Sequence, residues 1–493
     1  MFFILLLISL VSSHTYPIMY EISTRPWLYE LSQKYGKDIS KIRDVPISEF
    51  AEIKSKGIEI VWMMGVWQLG EYGLNLDKQK DYSNVLPDWT EEDVIGSPYA
   101  ITQYVCNKEI GTDEDLIWLR EELHKLGLKL MLDFVPNHSA CDAPEVTSDP
   151  TLYVRGPVND TYDPKYYMEN GVAHGKDPYF DPWADTVQWN YFEKKTREVQ
   201  TKNFVKVAQY ADAVRCDMAQ LDLNKVFYNT WFTELNYWNY SIPETEFWAD
   251  AIKEVRKVNP EVVLLAEVYE DWQKEKLVEC GFDYYYDKGL IDELKWGSQN
   301  VNNYVKGRTL NYFNHSAHMV ENHDEERAVQ NMGSVARANA AAGIALTLPG
   351  MVFLNHGQFD GKKNKLQVHL RRSADEEVSY TARVFYDKLM KIIQDNAFLT
   401  DNVHYVDTIS GDKKNDFYAM IREKDNHYLV VVNYSNEYGC VDVPIYNIEG
   451  DGDVKIRELM LDIELKRNGK TLREKGLTVC MDGNTVHIYQ YNY

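Results

Sequence analysis

Eight short apolar segments alternate with helical patterns along the chain, and this alternation restricts the possible folds more than any other feature of the sequence. Apolar strands separated by helices are typical of a parallel sheet that is covered on both faces. Eight such units predict an α/β chain that closes into a (β/α)8 TIM barrel. A doubly wound sheet is the alternative, although no glycine-rich phosphate loop follows the first segment to favour it. The predicted strands are 17–23, 58–65, 128–138, 211–219, 261–269, 282–289, 316–325 and 351–358.

Two regions depart from this alternation. Residues 139–190 are rich in Pro, Asp, Tyr and Gly, show no clear helix, and follow the third strand, so we interpret them as a short inserted lobe. After residue 400, apolar and polar residues alternate between turn signals, as in "HYLVVVNYS", which predicts a C-terminal antiparallel β-sandwich domain. The predicted domains are the barrel (16–138 and 191–399), the lobe (139–190) and the C-terminal β domain (400–493).

The net charge of the chain limits the kinds of partner that we expect it to bind. The chain of 493 residues has 76 acidic and 53 basic residues, which gives a formal net charge of −23. Nucleic acids and anionic membranes bind basic patches, and no cluster of Lys or Arg offsets the acidic excess. We therefore expect neither partner, and a neutral or cationic ligand instead. Aromatic residues make up 13% of the chain, a content that serves either core packing or stacking on sugars.

The chain opens with "MFFILLLISLVSSHT", in which residues 2–8 are all apolar and small residues follow. This pattern predicts a secretory signal peptide over residues 1–15, although the basic residues that usually precede the apolar run are missing. The run is too short to span a bilayer, and we find no other run long enough. We expect a monomer that is secreted or resides in the lumen of the secretory pathway. Glycosylation sequons begin at Asn137, Asn159, Asn239, Asn314 and Asn433.

Six cysteines leave the disulfide pattern open. Cys440 and Cys480 both fall in the C-terminal region and are candidates to pair, as are Cys106 and Cys141. Cys216 lies inside an apolar strand, where a cysteine serves as a small buried hydrophobe.

Polar side chains end several of the predicted strands. In a barrel of this kind the functional residues collect at the carboxyl ends of the strands. Arg215 and Asp217 are two residues apart and therefore face the same side of their strand. Carboxylates that converge in this way suit retaining glycoside hydrolysis, in which one attacks the anomeric carbon and another protonates the leaving oxygen. The residues in question are Asp133, Asn137, His138, Arg215, Asp217, Glu267, Glu321, Asn322, His323 and Asp324.

Four motifs carry a resemblance to a known family. "DFVPNH" (133–138), "VRCDMA" (214–219), "AEVY" (266–269) and "VENHDE" (320–325) resemble the four ordered motifs of the α-amylase family, glycoside hydrolase family thirteen. The resemblance covers about residues 17–400, and the β domain follows in the place usual for the family. It implies a secreted, α-amylase-like glycosidase that acts on α-glucans or maltooligosaccharides.

The resemblance also implies roles for individual residues. Asp217 corresponds to the nucleophile, Glu267 to the general acid and base, and Asp324 to the carboxylate that binds the sugar next to the reacting carbon. Arg215 would hold Asp217 ionised, because an opposite charge lowers the pKa of a carboxyl group. The residues expected to bind the same sugar are Tyr99, which resembles the family's stacking tyrosine, His138 and His323.

Structural roles compete with some of these assignments. A strand-end Arg–Asp pair such as Arg215 and Asp217 is commonly a structural ion pair. We interpret Asp133 as structural, a partner of Arg215. Trp183 and Trp189 in the lobe serve either sugar stacking or core packing.

The sequence departs from the family near the nucleophile. Many members carry a Lys–His pair after this motif, and Gln220 and Leu221 stand there instead. Leu221 cannot hydrogen-bond a sugar hydroxyl, and Ala100 follows Tyr99 where many members carry a polar residue. These departures, and the short lobe, leave room for oligosaccharide hydrolysis or for transglycosylation. A non-catalytic carbohydrate-binding relative is a further alternative, which the retention of Asp217, Glu267 and Asp324 disfavours.

Calcium is the one cofactor that the resemblance suggests. Family members often bind it between barrel and lobe, and Asn137 and Asp185 match two ligand positions. Both side chains offer the hard oxygen atoms that Ca²⁺ prefers. Its role would be structural, and a buried Asn137 would not be glycosylated.

Overall fold

A computed structural model describes residues 15–395, 397–406, 409–446 and 448–491. The predicted signal peptide, apart from Thr15, lies outside the described residues, and it stays a prediction. Among the described residues, no helix combines the length and the apolar character needed to cross a membrane.

The eight predicted strands close into a barrel of parallel strands in the order β1-β2-β5-β8-β9-β10-β11-β12. This confirms the TIM barrel and excludes the doubly wound alternative. The strands of the described residues are β1 (Ile18–Ser23), β2 (Ile60–Met64), β3 (Trp67–Leu69), β4 (Ile101–Cys106), β5 (Lys129–Phe134), β6 (His138–Ala140), β7 (Thr186–Gln188), β8 (Ala213–Cys216), β9 (Val263–Ala266), β10 (Tyr284–Tyr286), β11 (Ser316–His318), β12 (Met351–Asn355), β13 (Val403–Tyr405), β14 (Phe417–Glu423), β15 (His427–Asn433), β16 (Gly439–Val443), β17 (Asp453–Glu458), β18 (Ile463–Asn468), β19 (Leu477–Met481) and β20 (Thr485–Tyr491).

Helices cover the outside of the barrel and begin and end where the sequence supplies caps. Thr112 and Asp115 form a capping box at the start of one helix, and another ends two residues before Pro260. The α-helices are α1 (Thr24–Tyr35), α2 (Ile47–Ser55), α3 (Glu71–Asp77), α4 (Asp113–Lys125), α5 (Pro144–Ser148), α6 (Lys194–Tyr210), α7 (Asn224–Thr230), α8 (Phe232–Tyr237), α9 (Phe247–Val258), α10 (Asp271–Cys280), α11 (Lys288–Trp296), α12 (Ser298–Gly307), α13 (Leu310–Asn314), α14 (Ala328–Met332), α15 (Val335–Ala345), α16 (Tyr380–Ile393) and α17 (Gly469–Lys475). The 3₁₀ turns are Ile42–Asp44, Glu91–Asp93, Pro150–Leu152, Ala219–Asp222, Gln358–Asp360 and Lys414–Asp416.

Strand register brings the functional residues to one mouth of the barrel. Arg215 in β8 lies level with Asp133 in β5 and with Leu265 in β9. Asp217 and Glu267 come just after the ends of β8 and β9, and their backbone N–H groups continue the ladder to Phe134 and Cys216. Large apolar side chains fill the barrel interior below them, so the polar residues lie above a packed apolar layer. The interior residues include Met19, Trp62, Met131, Leu265, Tyr284 and Phe353.

The segment between β5 and α6 is mostly irregular, as the sequence indicates. β6 and β7 form a short antiparallel ladder at its two ends, with His138 opposite Gln188. One short helix, α5, and a 3₁₀ turn also occur there, where the sequence showed no clear helix. Five residues are too few to show a helical period, and Pro144 at the first position starts the helix.

The C-terminal region forms two antiparallel sheets, as predicted. A six-stranded sheet of order β13-β14-β15-β20-β17-β18 packs on a two-stranded ladder of β16 and β19. Phe417, Val441 and Val479 contribute to the apolar core between the two sheets. On its other face the large sheet meets α15, and a Cβ atom at Gly343 would lie 2.5 Å from Val486. Only glycine allows this helix to approach the sheet so closely.

One of the two predicted disulfides is present. Cys440 and Cys480 lie opposite each other in β16 and β19 and are bonded. The other candidate pair does not form: Cys106 and Cys141 are both free and buried. The Cys106 sulfur contacts the Asn107 carbonyl, while that of Cys141 lies 3.7 Å from the His174 ring. Cys216 is buried and free, as expected.

Candidate active site

Arg215 joins the two carboxylates that the sequence assigned to bond cleavage. Its guanidinium is fully buried and donates from Nη1 to Asp217 Oδ1 at 2.6 Å and from Nη2 to Glu267 Oε2 at 2.7 Å. The two carboxylates are therefore held by adjacent nitrogens of one rigid, planar group. The ion pair thus fixes both carboxylates at the mouth of the barrel.

The surroundings of Glu267 suit a proton donor. Burial raises the pKa of this carboxyl group, Arg215 opposes the rise, and Asp217 adds to it, so that the pKa lies at about 7. Oε2 also accepts from the backbone N–H of Met218 at 2.8 Å, and Oε1 accepts from the Tyr269 hydroxyl at 2.5 Å. A carboxyl group with a pKa near neutrality is protonated in a useful fraction of molecules and can act as a general acid.

The pKa of Asp217 differs from the simple expectation. Burial raises the pKa of its carboxyl group, and the contact with Arg215 only partly reverses the effect, so the net shift is upward. Asp324 and Asp133 add to the rise. The carboxylates at this mouth thus titrate as interacting groups rather than singly.

His323 and Asp324 form a second ion pair beside the first. His323 Nε2 lies 3.0 Å from Asp324 Oδ2 and 2.8 Å from the Tyr99 hydroxyl, while Nδ1 lies 2.5 Å from Glu21 Oε1. Burial alone would lower the pKa of His323, but Asp324 and Glu21 raise it to about 10. The ring is therefore an imidazolium that donates from both nitrogens. Burial alone would raise the pKa of Asp324, and His323 brings it down to about 2.

Several of these groups line one open cleft of about 810 Å³. All three carboxylates reach it: Asp217, Glu267 and Asp324. The cleft thus brings together the predicted catalytic carboxylates with Tyr99 and His138, while Arg215 and His323 contact them from behind. The lining also includes Trp183, Asp185, Gln220, Tyr269, Lys288 and His369.

The lobe contributes an aromatic edge to this cleft. Trp183 packs against His138 with ring centroids 5.1 Å apart, whereas Trp189 stacks on Tyr153 in the core. Tyr179 and Phe180 also line the cleft, with 67% and 75% of their surfaces exposed. Of the two tryptophans, only Trp183 is therefore placed to contact a ligand.

The exposed aromatic edge is held by a buried carboxylate. Asp177 is buried, and its Oδ1 accepts from the backbone N–H groups of Tyr179 and Phe180 at 2.6 and 2.8 Å. Their backbone is therefore fixed although their rings are exposed.

The residues that follow Asp217 in the chain differ in their access to the cleft. Met218 has a left-handed backbone (φ 43°), and its side chain lines the cleft. Strain of this kind collects at functional sites. Gln220 also lines the cleft, and its buried Oε1 has no hydrogen-bond partner, whereas Leu221 lies in the core.

Asp133 has a structural environment, as expected, but not mainly through Arg215. It accepts from Trp62 Nε1 at 3.1 Å and from the Gly65 N–H at 3.0 Å, while Arg215 lies 4.0 Å away. The carboxylate thus joins β2 to β5 beneath the cleft.

The residues suggested for calcium do not form a site. The side-chain oxygen of Asn137 accepts from Gln188 Nε2 at 2.9 Å, and the same nitrogen donates to the Asn137 carbonyl at 2.8 Å. An amide N–H group therefore engages one of the two lone pairs of the Asn137 side-chain oxygen. Asp185 faces the catalytic cleft instead. Within the described ranges, no group of three or more His, Cys, Asp or Glu side chains is arranged to hold a metal ion.

Three contributions to the site were not predicted from the sequence. Glu21 lies inside the apolar strand "IMYEIS", and its buried charge was an available signal. Tyr269 ends the motif "AEVY", but nothing in the sequence shows that its hydroxyl turns back to Glu267. Tyr179 and Phe180 lie in an irregular segment whose exposure no periodicity reveals.

Known proteins resemble this chain in sequence. A family model described as "Alpha amylase, catalytic domain" matches residues 53–397. The chain is 26% identical over 362 residues to Alpha-amylase MalA of Haloarcula japonica, covering 70% of this chain and 49% of that protein. It is 24% identical over 278 residues to Alpha-amylase 3 of Dictyoglomus thermophilum, covering 53% of each. The aligned region thus spans about half the length of these curated relatives.

Solved structures resemble the fold over nearly the whole chain. A maltogenic alpha-amylase, AmyB, from Thermotoga neapolitana superposes with a TM-score of 0.70 at 18% identity, covering 96% of this chain and 98% of that one. An alpha-amylase from Lactobacillus plantarum superposes with a TM-score of 0.67 at 20% identity, with the same coverage. At these identities the likeness concerns the fold.

Proposed function

Because the chain belongs to the alpha-amylase family, with its catalytic-domain model matched over residues 53–397, we propose that it is a retaining glycoside hydrolase that cleaves α-glucosidic bonds. The proposed substrates are α-glucans or maltooligosaccharides. One observation carries the proposal: a single buried guanidinium holds Asp217 and Glu267 side by side in an open cleft that Asp324 also enters.

The proposed first step forms a covalent glycosyl-enzyme. Asp217 attacks the anomeric carbon, the bond to the leaving oxygen breaks, and Glu267 gives its proton to that oxygen. Arg215 keeps Asp217 aimed and favours its ionised form. In the second step Glu267 takes a proton from water, the water oxygen attacks the same carbon, and Asp217 is released.

Neighbouring groups supply the sugar contacts in this mechanism. Asp324 reaches the cleft and is ionised beside the His323 imidazolium, so it can accept hydrogen bonds from sugar hydroxyls. His323 and Tyr99 are already joined by a hydrogen bond, which fixes both rings before a substrate binds. Groups fixed in advance lose little freedom on binding and stabilise the transition state more effectively.

The shape of the cleft supports a chain of several sugars as the substrate. Its volume of about 810 Å³ lies in the upper part of the range for small-molecule sites. Tyr179 and Phe180 offer aromatic faces at its edge. The apolar face of a glucose ring packs on such a surface, so we propose that longer maltooligosaccharides bind better than short ones.

Secretion, glycosylation and action as a monomer belong to the same proposal. The apolar N-terminal segment and the Cys440–Cys480 disulfide support an oxidising, extracytoplasmic location. Carbohydrate is the proposed partner. We propose no role for calcium, because the side-chain oxygen of Asn137 already accepts a hydrogen bond from Gln188.

The proposal is tested by products and by one conservative variant. The wild-type protein is incubated with starch, maltoheptaose, an aryl α-maltoside, sucrose and trehalose, and the anomer released first is identified by proton NMR. We expect α-anomeric products from the α-glucans, and Asp217→Asn should lower kcat by about 10⁴-fold or more. Excess acceptor sugar in a parallel incubation distinguishes hydrolysis from transglycosylation.

Asp222→Asn is the matched control for this variant. Asp222 is fully buried, its carboxyl oxygens have no hydrogen-bond partner, and burial followed by Asp217 raises its pKa well above the usual range. Burial thus favours its neutral form, whose shape and charge asparagine reproduces. A wild type and an Asp217→Asn variant that behave alike on every substrate would contradict the proposal.

A further inference from the structure

The two oxygens of the Glu267 carboxyl group have opposite surroundings. Oε2 faces only donors, the Arg215 Nη2 at 2.7 Å and the Met218 N–H at 2.8 Å. Neither of these groups can accept a hydrogen bond. A proton on Oε2 would point at two other hydrogens, so the proton of the neutral carboxyl group resides on Oε1.

Oε1 has a single protein partner, the hydroxyl of Tyr269 at 2.5 Å. A phenol can donate and accept, so this contact persists in both protonation states of the acid. When Glu267 is ionised, Tyr269 donates to Oε1. When Glu267 is neutral, its Oε1–H donates to the Tyr269 oxygen. Both side chains line the cleft, so the proton lies on the side from which a substrate arrives.

We propose that Tyr269 is a positioning residue for the general acid: its hydroxyl fixes Oε1 as the oxygen that carries the transferred proton and stabilises the carboxylate left after transfer. This rests on the proposed glycosidase function. During bond cleavage the proton passes from Oε1 to the glycosidic oxygen, which takes the electron pair of the breaking bond. The Tyr269 hydroxyl then rotates and donates to Oε1, and the proton of the attacking water later restores the starting state.

The other charged groups around Glu267 do not serve this purpose. Arg215 engages Oε2, Asp217 and Asp324 repel the ionised form without hydrogen-bonding it, and the Tyr286 hydroxyl accepts from Arg215 Nε at 3.1 Å. Lys288, Asp292 and Glu325 line the same cleft and pair with one another.

Tyr269→Phe is the test, because phenylalanine keeps the ring and removes only the hydroxyl. The lost hydrogen bond favours the ionised acid more than the neutral one, so its removal raises the pKa of Glu267. We expect the alkaline limb of kcat/KM to move upward by about half to one pH unit. We also expect kcat to fall about 10-fold or more on maltooligosaccharides, and less on 4-nitrophenyl α-maltoside, whose leaving group needs little protonation.

Tyr434→Phe is the matched control. Tyr434 is buried, its hydroxyl donates to the Leu294 carbonyl at 2.7 Å, and it does not line the cleft. Its loss should lower stability without moving the pH limb or the ratio between the two substrates.

A second measurement separates this inference from the proposed function. Carbon NMR titration of glutamate-labelled protein, with Glu267→Gln to assign the signal, reports the pKa of Glu267 without any substrate. An upward shift in Tyr269→Phe supports the inference even in a protein inactive on every α-glucan, a result that would overturn the function alone. An active wild type with an unmoved Glu267 pKa and equal losses on both substrates would overturn the inference.

Discussion

In the proposed mechanism, Glu267 and Asp217 are in opposite protonation states when the glycosidic bond breaks. The pKa of Glu267 lies at about 7 because of burial, so the fraction with a protonated acid falls above neutrality. Burial likewise raises the pKa of Asp217, and in the proposed mechanism protonation of its carboxylate ends activity on the acidic side. We expect a bell-shaped profile of kcat/KM with a slightly acidic optimum and a fall of about tenfold per pH unit above the alkaline limb. Initial rates across the acidic and alkaline range check this, and a flat profile above neutrality would contradict it.

Glu21 is expected to keep His323 charged. The two side chains are buried and lie 2.5 Å apart, and Asp324 lies on the other side of the imidazole ring. Glu21→Gln retains an acceptor for Nδ1 but removes the negative charge, so the pKa of His323 should fall from about 10. A second ionisation then enters the alkaline limb, and kcat/KM should fall up to about 100-fold per pH unit there.

Glu30→Gln is the control for this change. Glu30 pairs with His356 at 2.7 Å outside the catalytic cleft, so the profile should stay as in the wild type. Proton NMR of the His323 ring gives its pKa directly. An unchanged ring titration in Glu21→Gln would show that Asp324 alone holds the charge.

The residues that follow strand ends were predicted from the sequence, but those that support them from behind were not. Arg215, Asp217 and Glu267 were predicted because a charge that interrupts an apolar segment needs a reason. Glu21 meets the same criterion, yet its partner comes 302 positions later, and only closure of the barrel brings the two together. Tyr269 escaped prediction because loop geometry, not periodicity, turns its hydroxyl towards Glu267.

At the scale of secondary structure, the eight predicted strands are all present, but several end earlier than predicted. The segment 211–219 contains the strand Ala213–Cys216, and 261–269 contains Val263–Ala266. The sequence remains apolar beyond these ends because the following residues, such as Ala219 and Val268, still pack in the core. At the mouth of the barrel a residue can therefore be buried without belonging to a strand, so the apolar pattern alone overestimates the length of the strands there.

Gln188 in β7 is expected to hold the lobe on the barrel in place of a cation. Its side-chain nitrogen donates to both oxygens of Asn137, and all of these atoms are buried. Gln188→Leu leaves the side-chain oxygen of Asn137 without a donor, while its backbone carbonyl keeps the Trp189 N–H at 3.2 Å, so stability should fall by roughly 1–3 kcal/mol. Thermal unfolding followed by circular dichroism checks this, with the exposed helix residue in Gln209→Leu as control.

Removal of metal ions gives the second part of this test. EDTA should leave the Tm of the wild type unchanged, because the side-chain oxygen of Asn137 is satisfied by the Gln188 amide rather than by calcium. A fall in Tm that added calcium reverses would mean that the Gln188 amide yields its place to the ion.

At the scale of the whole molecule, the barrel and the C-terminal sheet share one apolar core. Tyr418, Val430 and Ile488 from one face of the sheet belong to the same cluster as the barrel helices, including Ala341 of α15. The sequence distinguishes two regions by the spacing of their apolar residues, which recur about every 3.6 residues in the helices of the barrel and every 2 residues in the C-terminal strands. It could not show that they are continuous, because the contact depends on how α15 lies across β20.

Arg422 makes polar contacts across this shared core. It is fully buried in β14, and its guanidinium donates to Thr347 O at 2.6 Å, to Phe398 O at 2.9 Å and to Thr400 O. These three carbonyls belong to the barrel and to the connection that leaves it. Arg422→Met fills the space but removes every donor, so we expect a loss of at least about 3 kcal/mol, since each unpaired buried carbonyl costs about 1–3 kcal/mol.

Differential scanning calorimetry tests how much these Arg422 hydrogen bonds stabilise the protein. Because the core is continuous, the wild type should unfold in one transition, and Arg422→Met should lower Tm while activity at low temperature persists. The exposed Arg467→Met on the edge strand β18 is the control and should change Tm little. A variant as stable as the wild type would mean that apolar contacts, such as those around Gly343 and Val486, hold the sheet on the barrel without the arginine.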